Sequence, residues 1–250
     1  MTQKTESVAF GIIGGSGLTQ LSNLEVMRRQ AVDTPFGSIS SALASGTIAD
    51  KQLAILARHG DTHTIAPQKV NYRANLWAMI SLGVTEIIAV NAVGGFTEHM
   101  RPGSLVIPDQ IIDYTTSRSN TFYETDLSTV THIDFSYPYN APLSHLIQQT
   151  AKRCDINIIS GATYAATEGP RLETAAEIQR LKKDGCDIVG MTAMPEAALA
   201  RELDINYASI CVNANWAAGL GDGLISMEDI EANLIGGMEK VRIILSEIFV

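Results

Sequence analysis

The chain has 250 residues, 46% of them hydrophobic, and a formal net charge of −9 at pH 7. This size and apolar content suffice for one sizeable core, so we predict a single domain over residues 1–250. The negative charge argues against nucleic acid as a partner, and no apolar run reaches the ~20 residues that span a membrane.

Short apolar runs alternate with helix-like segments along the chain. Strands are predicted, in chain order, over 8–13, 53–57, 86–90, 105–107, 111–114, 157–159, 162–166, 188–191 and 207–212. Helices are predicted over 68–82, 143–153, 173–183, 195–203 and 227–249. This alternation predicts an α/β fold with a mixed, mainly parallel central sheet flanked by helices.

The cysteines and the start of the chain indicate the compartment. Cys154, Cys186 and Cys211 are far apart and show no C-x-x-C spacing, which predicts free thiols rather than disulfides or a zinc site. The polar first residues lack the apolar core of a signal peptide. We therefore expect a cytoplasmic protein.

Ligands of open α/β sheets bind beyond the carboxyl ends of the strands. The residues predicted at those ends are Ser16, Arg58–His59, Asn91–Ala92, Thr167–Gly169, Met191–Thr192, and the pair Asn213 and Asn215. The guanidinium of Arg58 and the hydroxyls of Ser16 and Thr192 favour a free-phosphate site, since both kinds of group donate to phosphate oxygens. Neither an aspartate pair nor an H-E-x-x-H motif supports a metal, so none is expected.

Two features leave alternatives open. The loop Gly14–Gly17 lacks the G-x-G-x-x-G pattern of dinucleotide sites, and its glycines either form a tight turn or let backbone N–H groups approach an anion. Glu173 stands near the start of a predicted helix, where the helix dipole favours a carboxylate, or it accepts a ring N–H from a ligand. His63, His99 and His145 have no partner pattern and are expected to be structural or surface residues.

Six blocks of sequence, taken together, resemble the trimeric purine nucleoside phosphorylases, a group that includes the 5′-methylthioadenosine phosphorylases. These blocks are GIIGGSGL, ARHGDTHTIAPQKVNYRANLWA, AVNAVGGF, PGSLVIPDQIIDYT, ATEGPRLETAAEI and GMTAMPEAALARELDINYASI. The resemblance runs over nearly the whole chain in the family's order. It implies the nucleoside phosphorylase fold, a homotrimer, a nucleoside substrate, inorganic phosphate as co-substrate and no cofactor.

The resemblance also implies a role for individual residues. The positions that match the family's phosphate site are Ser16, Arg58, His59, Asn91, Ala92 and Thr192. Met191 matches the residue whose backbone lies along the ribose hydroxyls, and His132 matches a histidine that reaches the 5′ end of the nucleoside from a neighbouring subunit. Glu173 and Asn215 match the two base-reading positions. The chain departs from the family at Leu172, where an aromatic residue usually stacks on the purine, and at Asn91, where methylthioadenosine enzymes have Thr.

The chemistry at 215 and 217 predicts the base. Methylthioadenosine phosphorylases have two aspartates there, and this chain has Asn215 and Ala217. An amide accepts from N7–H and donates to a 6-oxo group, while Glu173 accepts from N1–H of hypoxanthine or guanine. Adenine presents an acceptor at N1, so we expect it to be disfavoured by about 10²–10³-fold.

The 5′ side of the substrate is predicted from the segment 225–234, which resembles the helix over the nucleoside's 5′ end. Its expected pocket-facing residues, Leu224, Ile225 and Met227, are all apolar. A 6-oxopurine base with an apolar 5′ group implies phosphorolysis of S-methyl-5′-thioinosine. The alternatives are a general inosine/guanosine phosphorylase, a methylthioadenosine phosphorylase and an inactive nucleoside-binding protein.

Overall fold

The computed structural model describes residues 9–15, 18, 21, 23–125 and 129–250. Ser16, predicted to contact phosphate, and Val8, the predicted start of the first strand, lie outside the described residues.

A single sheet contains eleven strands from the described part of the chain. They are β1 (Phe10–Gly14), β2 (Glu25–Gln30), β3 (Leu43–Ile48), β4 (Lys51–Ala57), β5 (Glu86–Gly95), β6 (Leu105–Ile107), β7 (Gln110–Asp113), β8 (Ile158–Ser160), β9 (Thr163–Ala166), β10 (Ile188–Gly190) and β11 (Asn206–Trp216). The helices are α1 (Tyr72–Ser81), α2 (Ala141–Arg153), α3 (Ala175–Lys183), α4 (Glu196–Glu202) and α5 (Met227–Glu247).

The sheet is mixed, as predicted. Its main path runs β2-β3-β4-β1-β5-β10-β9-β7, and β11 pairs with β5 off this path and continues to β6 and β8. Pairing is parallel between β1 and both β4 and β5, and antiparallel where β10 meets β5. Helices cover the two faces, so the predicted α/β class is confirmed.

Two strands, β2 and β3, were missed by the sequence analysis. Five of the six β2 residues are exposed, so its sequence EVMRRQ has no apolar alternation to indicate a strand. In β3 the signal is weakened by Gly46, which a larger residue cannot replace because a Cβ there would lie 2.4 Å from the Glu25 carbonyl oxygen. Both strands extend one edge of the sheet, away from the polar strand ends.

Strand β5 is twice as long as predicted. Two strands, β1 and β10, pair with different parts of the same edge of it. β1 pairs with its first part, up to Ala89, whereas β10 pairs only with Gly94 and Gly95. Within the described residues, positions 90–93 therefore have no strand partner on that edge, although β11 pairs along the other edge. The sheet opens here into a gap between β1 and β10, which we call the β5 gap.

Helix α5 packs very closely on the sheet. A Cβ at Gly237 would lie 2.2 Å from Cγ1 of Val212 in β11, so only glycine permits this approach. The helix begins after Ser226, whose hydroxyl accepts the backbone N–H groups of Glu228 and Asp229 and so caps the orphan donors of the first turn. No helix in the described ranges is long and apolar enough to cross a membrane.

Candidate active site

A cavity of about 750 Å³ occupies the β5 gap. Its floor is formed by residues 90–94 of β5, and its walls by the segments that follow β4, β9 and β10, the end of β11 and one face of α5. This is the switch point in strand order at which open α/β sheets bind ligands. Asn91, Ala92 and Asn215 thus lie inside strands rather than beyond them, because β5 and β11 continue to pair past the end of β1.

Arg58 follows β4 directly, as predicted, but its side chain turns inward rather than lying at the rim. It is 2% exposed, and its Nε and Nη2 each donate to one oxygen of the Glu196 carboxylate at 2.7 Å. Burial lowers the pKa of Arg58 and the carboxylate raises it by more, so the guanidinium stays charged. Nη1 donates to the carbonyl of Val90 at 3.1 Å, which leaves its second N–H for the cavity that Arg58 also lines.

His59 presents a fixed tautomer to the cavity. Its Nδ1 lies 2.8 Å from the carbonyl oxygen of Ile65, which can only accept, so Nδ1 carries the proton and neutral Nε2 is an acceptor. Burial and the charge of Arg58 lower the pKa of His59 to about 4. The ring of His63 lies 4.7 Å from that of His59 and also lines the cavity, and His63 is exposed, as expected of a surface residue.

Asn91 and Thr192 are joined by a buried hydrogen bond. The Thr192 hydroxyl donates to Oδ1 of Asn91 at 3.1 Å, and Nδ2 of Asn91 donates to the Ser209 hydroxyl at 2.8 Å. Both ends of the Asn91 amide are therefore engaged within the protein. Next to it, Ala92 is exposed to the cavity, where its small side chain lets a ligand approach the strand backbone.

Met191 and the turn at Gly169 pack together at the cavity wall. A Cβ at Gly169, whose φ is +66°, would lie 2.4 Å from the sulfur of Met191. Only glycine is free of strain in this left-handed conformation and leaves room for the thioether. The segments after β9 and β10 are thus held against each other.

Glu173 points toward the cavity and not along the helix axis. Helix α3 begins at Ala175, after the N-cap Thr174, which forms a reciprocal capping box with Glu177, so Glu173 precedes the helix instead of lying in its first turn as predicted. Its Oε1 accepts from the Thr167 hydroxyl at 2.7 Å, which leaves Oε2 for a ligand N–H. Leu172 also lines the cavity and is 41% exposed, giving an apolar surface where the family has an aromatic ring.

Of the two asparagines near the end of β11, Asn213 and Asn215, only Asn215 lines the cavity. Asn213 is fully buried and donates to the Ser104 hydroxyl at 2.8 Å. The strand bulges between these residues. Nδ2 of Asn215 donates to the carbonyl oxygen of Trp216 at 2.6 Å, so its other N–H and Oδ1 can address a ligand. An aspartate in this rotamer would place a carboxylate oxygen against the carbonyl oxygen of Trp216, and the two acceptors would repel each other.

The face of α5 over the cavity is apolar from Met227 to Met238 and continues well beyond the predicted residues, with Arg242 lining the cavity one turn further along. Ile225 and Met227 line the cavity, followed along the helix by Ile230, Leu234 and Met238. Leu224, predicted to face the pocket, is 98% exposed and lies outside the lining. The spacing of 227, 230, 234 and 238 is that of one helical face, a signal that was available in the sequence.

His132 lies apart from the cavity of its own chain. It is exposed on the segment between β7 and α2 and is not among the described residues of the lining. Two buried charged residues that contact the site, Glu196 and Arg118, were not singled out from sequence, since nothing in their spacing relates them to partners far along the chain. Among the described residues, no group of three or more His, Cys, Asp or Glu side chains could hold a metal ion.

The chain is similar over most of its length to known sequences and structures. The model of the phosphorylase superfamily matches residues 9–249. A probable S-methyl-5′-thioinosine phosphorylase of Xanthomonas campestris pv. campestris is 46% identical over 92% of both chains. A 6-oxopurine nucleoside phosphorylase of Pyrococcus furiosus is 43% identical over 96% of this chain and 91% of its own. The solved structure of methylthioadenosine phosphorylase from Schistosoma mansoni with adenine has a TM-score of 0.91 at 33% identity, covering 97% of this chain and 91% of that one.

Proposed function

Since the chain belongs to the phosphorylase superfamily, we propose that it cleaves S-methyl-5′-thioinosine with phosphate to give hypoxanthine and 5-methylthioribose 1-phosphate. The observation that supports this substrate is the cavity itself. It brings Glu173 and Asn215 into one space with the apolar face of α5. A 6-oxopurine matches the two polar residues, and a methylthio group matches the apolar face. The similarity to the relative from Xanthomonas campestris, which is named a probable S-methyl-5′-thioinosine phosphorylase, supports the same substrate.

Phosphate lies in the β5 gap in this proposal. The free N–H of Arg58 and the backbone at Asn91–Ala92 donate to its oxygens, and Nε2 of His59 accepts from a protonated oxygen. The Thr192 hydroxyl is directed by Asn91, so its lone pairs face the ligand. Ser16, which follows β1 in the sequence, is expected to add a hydroxyl donor. The negative charge of phosphate next to C1′ stabilises the positive charge that develops on the ribosyl group.

The leaving purine is stabilised at two points. When the C1′–N9 bond breaks, its electron pair passes to the base, and a solvent proton at N7 leaves hypoxanthine neutral. Oδ1 of Asn215 accepts from that N7–H while its free N–H donates to the 6-oxo group. Oε2 of Glu173 accepts from N1–H, and the Met191 backbone orients the ribose. Positioning and electrostatics supply the catalysis, and no cofactor takes part.

The complete site needs a second subunit in this proposal. His132 is exposed on its own chain, and in a homotrimer it reaches the 5′ end of the nucleoside bound to a neighbour. A cyclic trimer repeats this contact three times with one kind of interface.

The test is a comparison of four nucleosides at equal phosphate: inosine, adenosine and their 5′-methylthio derivatives, each followed by release of free base. We expect methylthioinosine to give the highest kcat/KM. A higher value for inosine would make the protein a general 6-oxopurine phosphorylase, which the relative from Pyrococcus furiosus favours as second candidate. Fastest release of adenine would overturn the base assignment, and binding of base without turnover would indicate a nucleoside-binding protein.

A further inference from the structure

Arg118 is a buried cation that contacts both walls of the cavity without lining it. It lies on the segment between β7 and α2, and its side chain is 2% exposed. Its Nη1 donates to the carbonyl oxygens of Met191, at 2.7 Å, and Met194. These carbonyls belong to the segment that follows β10.

The other half of the guanidinium holds the segment that follows β9. Nη2 of Arg118 donates to the carbonyl oxygens of Thr167 at 3.1 Å and Glu168 at 2.8 Å. A planar guanidinium fixes the directions of its donors, so the carbonyls of the two segments are held in one geometry. The ring of Tyr72 lies 5.5 Å from the guanidinium carbon and supports it from α1.

A reciprocal set of bonds fixes Arg118 itself. The carboxylate of Glu168 accepts from the Ser117 hydroxyl at 2.6 Å and from the backbone N–H of Thr116 at 2.9 Å. It also lies 3.6 Å from Nε of Arg118. Burial raises the pKa of Glu168, but these donors and the arginine lower it by more. The pKa therefore falls below its ordinary value, and the carboxylate stays ionised. The residues before Arg118 are thus bound to the same segment that Arg118 binds.

Each of the two segments carries one half of the proposed substrate site. Thr167 is hydrogen bonded to Glu173, which reads the base, and Met191 is followed by Thr192 at the ribose and phosphate. We propose that Arg118 is a positioning residue that fixes the distance between the base-reading and ribose-phosphate halves of the site. This rests on the proposed function only in requiring that one ligand spans both halves.

The test compares the effect of an Arg118 substitution on the nucleoside, which spans both halves of the site, with its effects on hypoxanthine and phosphate, which each contact one half. Arg118→Met keeps an unbranched apolar side chain that reaches as far as the position of Nε, but removes all five N–H donors. We expect kcat/KM for the nucleoside to fall by about 10²-fold, since displacement by ~1 Å misaligns reacting groups to that extent. The dissociation constant of hypoxanthine alone and the KM of phosphate should each change by less than about threefold, because each contacts one half. The nucleoside used is the one that the wild type cleaves fastest among inosine, adenosine and their methylthio derivatives. The expected fall in kcat/KM therefore tests Arg118 even if the proposed substrate is wrong.

Arg73→Met is the matched control. Arg73 binds the same segment, through Thr121 and Glu124, but contacts neither cavity wall, and its variant should keep wild-type kcat/KM. Unchanged kcat/KM in Arg118→Met with a lower melting temperature would show a merely structural role. Equal loss of nucleoside, hypoxanthine and phosphate binding would show collapse of the site and also overturn the proposal. If Arg118→Met does not fold, Arg118→Lys, which keeps the charge but loses the fork, is judged by the same criteria.

Discussion

Arg58 and Glu196, 138 residues apart in sequence, form a two-point ion pair inside the protein with both N–O distances at 2.7 Å. Glu196 is fully buried and also accepts from the Tyr207 hydroxyl at 2.9 Å. Removing either partner strands a buried charge, which typically costs about 3–5 kcal/mol of stability. The pair therefore ties the cavity-facing end of β4 to the first turn of α4.

Arg58→Met is expected to raise the KM of phosphate more than the KM of the nucleoside, because it removes the N–H that remains for phosphate. Steady-state kinetics at a temperature where the variant is folded measures both constants. Glu196→Gln is the control, since it breaks the same ion pair but keeps the guanidinium. It should lower the free energy of unfolding comparably, with a smaller rise in phosphate KM. Equal phosphate effects in both variants would count against direct contact by Arg58.

Exchange of Asn215 and Ala217 for aspartate should shift the preference from methylthioinosine toward methylthioadenosine. Two acids accept from the 6-amino group and from protonated N7, whereas Asn215 donates to a 6-oxo group. We expect the ratio of the two kcat/KM values to change by about 10²-fold in the double variant. Asn233→Asp provides a control, since it disturbs a bond to the Ala214 carbonyl from α5 without changing a base-reading residue. An unmoved ratio in the double variant would refute the role of Asn215.

Protonation of His59 should destabilise the protein in mild acid. The pKa of His59 in the folded state is about 4, below its ordinary value of 6.5. The unfolded chain therefore binds the proton first as the pH falls. The stability contributed by neutral His59 is complete above pH 6.5 and is lost between pH 6.5 and 4, by about 2–3 kcal/mol. Denaturant unfolding at pH 7, 5.5 and 4.5 measures this loss.

His59→Gln should reduce that dependence on pH, because glutamine does not titrate. His145→Gln is the comparison, since His145 is exposed on α2 and bonds only to Gln149 among the described residues. If the free energy of unfolding of His59→Gln falls with pH as steeply as that of the wild type, His59 is not the source of the pH dependence.

The apolar face of α5 should favour methylthioinosine over inosine by about 10²-fold in kcat/KM, from burial of the methylthio group and the lost hydration of a 5′-hydroxyl. Met227→Gln should narrow that ratio by adding a polar group to the lining. Leu224→Gln is the same kind of change three residues earlier, on a side chain that is 98% exposed, and should leave the ratio unchanged. Parallel kinetics with the two nucleosides decides between these outcomes.

Mixing two inactive variants should restore activity if His132 is donated between subunits. His132→Ala and Glu173→Ala impair different parts of one site, so a mixed trimer contains sites with both residues intact. Random exchange of subunits gives about a quarter of such sites. Sedimentation under assay conditions should show a trimer, and an active monomer would contradict the assembly.

The alternation of strands and helices was sufficient to predict the class of the fold, because buried parallel strands have continuous apolar sequences. It was insufficient for β2 and for the second half of β5. Exposed residues fill β2, and in β5 the sequence NAVGG resembles a turn. Pairing with β11, which is distant in sequence, is what keeps residues 91–95 extended.

At the site, residue types next to apolar runs indicated Arg58, Asn91 and Asn215, but not their partners. The Arg58–Glu196 pair and the contacts of Arg118 join segments tens of residues or more apart, which a pattern within one window does not reveal. Local chemistry thus indicated several residues that line the cavity, although Leu224 lies outside it. Tertiary packing determined which of their hydrogen-bond donors and acceptors remain available to a ligand.

The β5 gap leaves positions 90–93 of β5 without a strand partner on one edge, within the described residues. Backbone groups that a neighbouring strand would otherwise occupy are therefore open to the cavity. If phosphate binds there as proposed, it takes the place of a strand partner and bridges the β1 and β10 sides of the sheet. We then expect bound phosphate to slow hydrogen exchange of the backbone amides at 90–93.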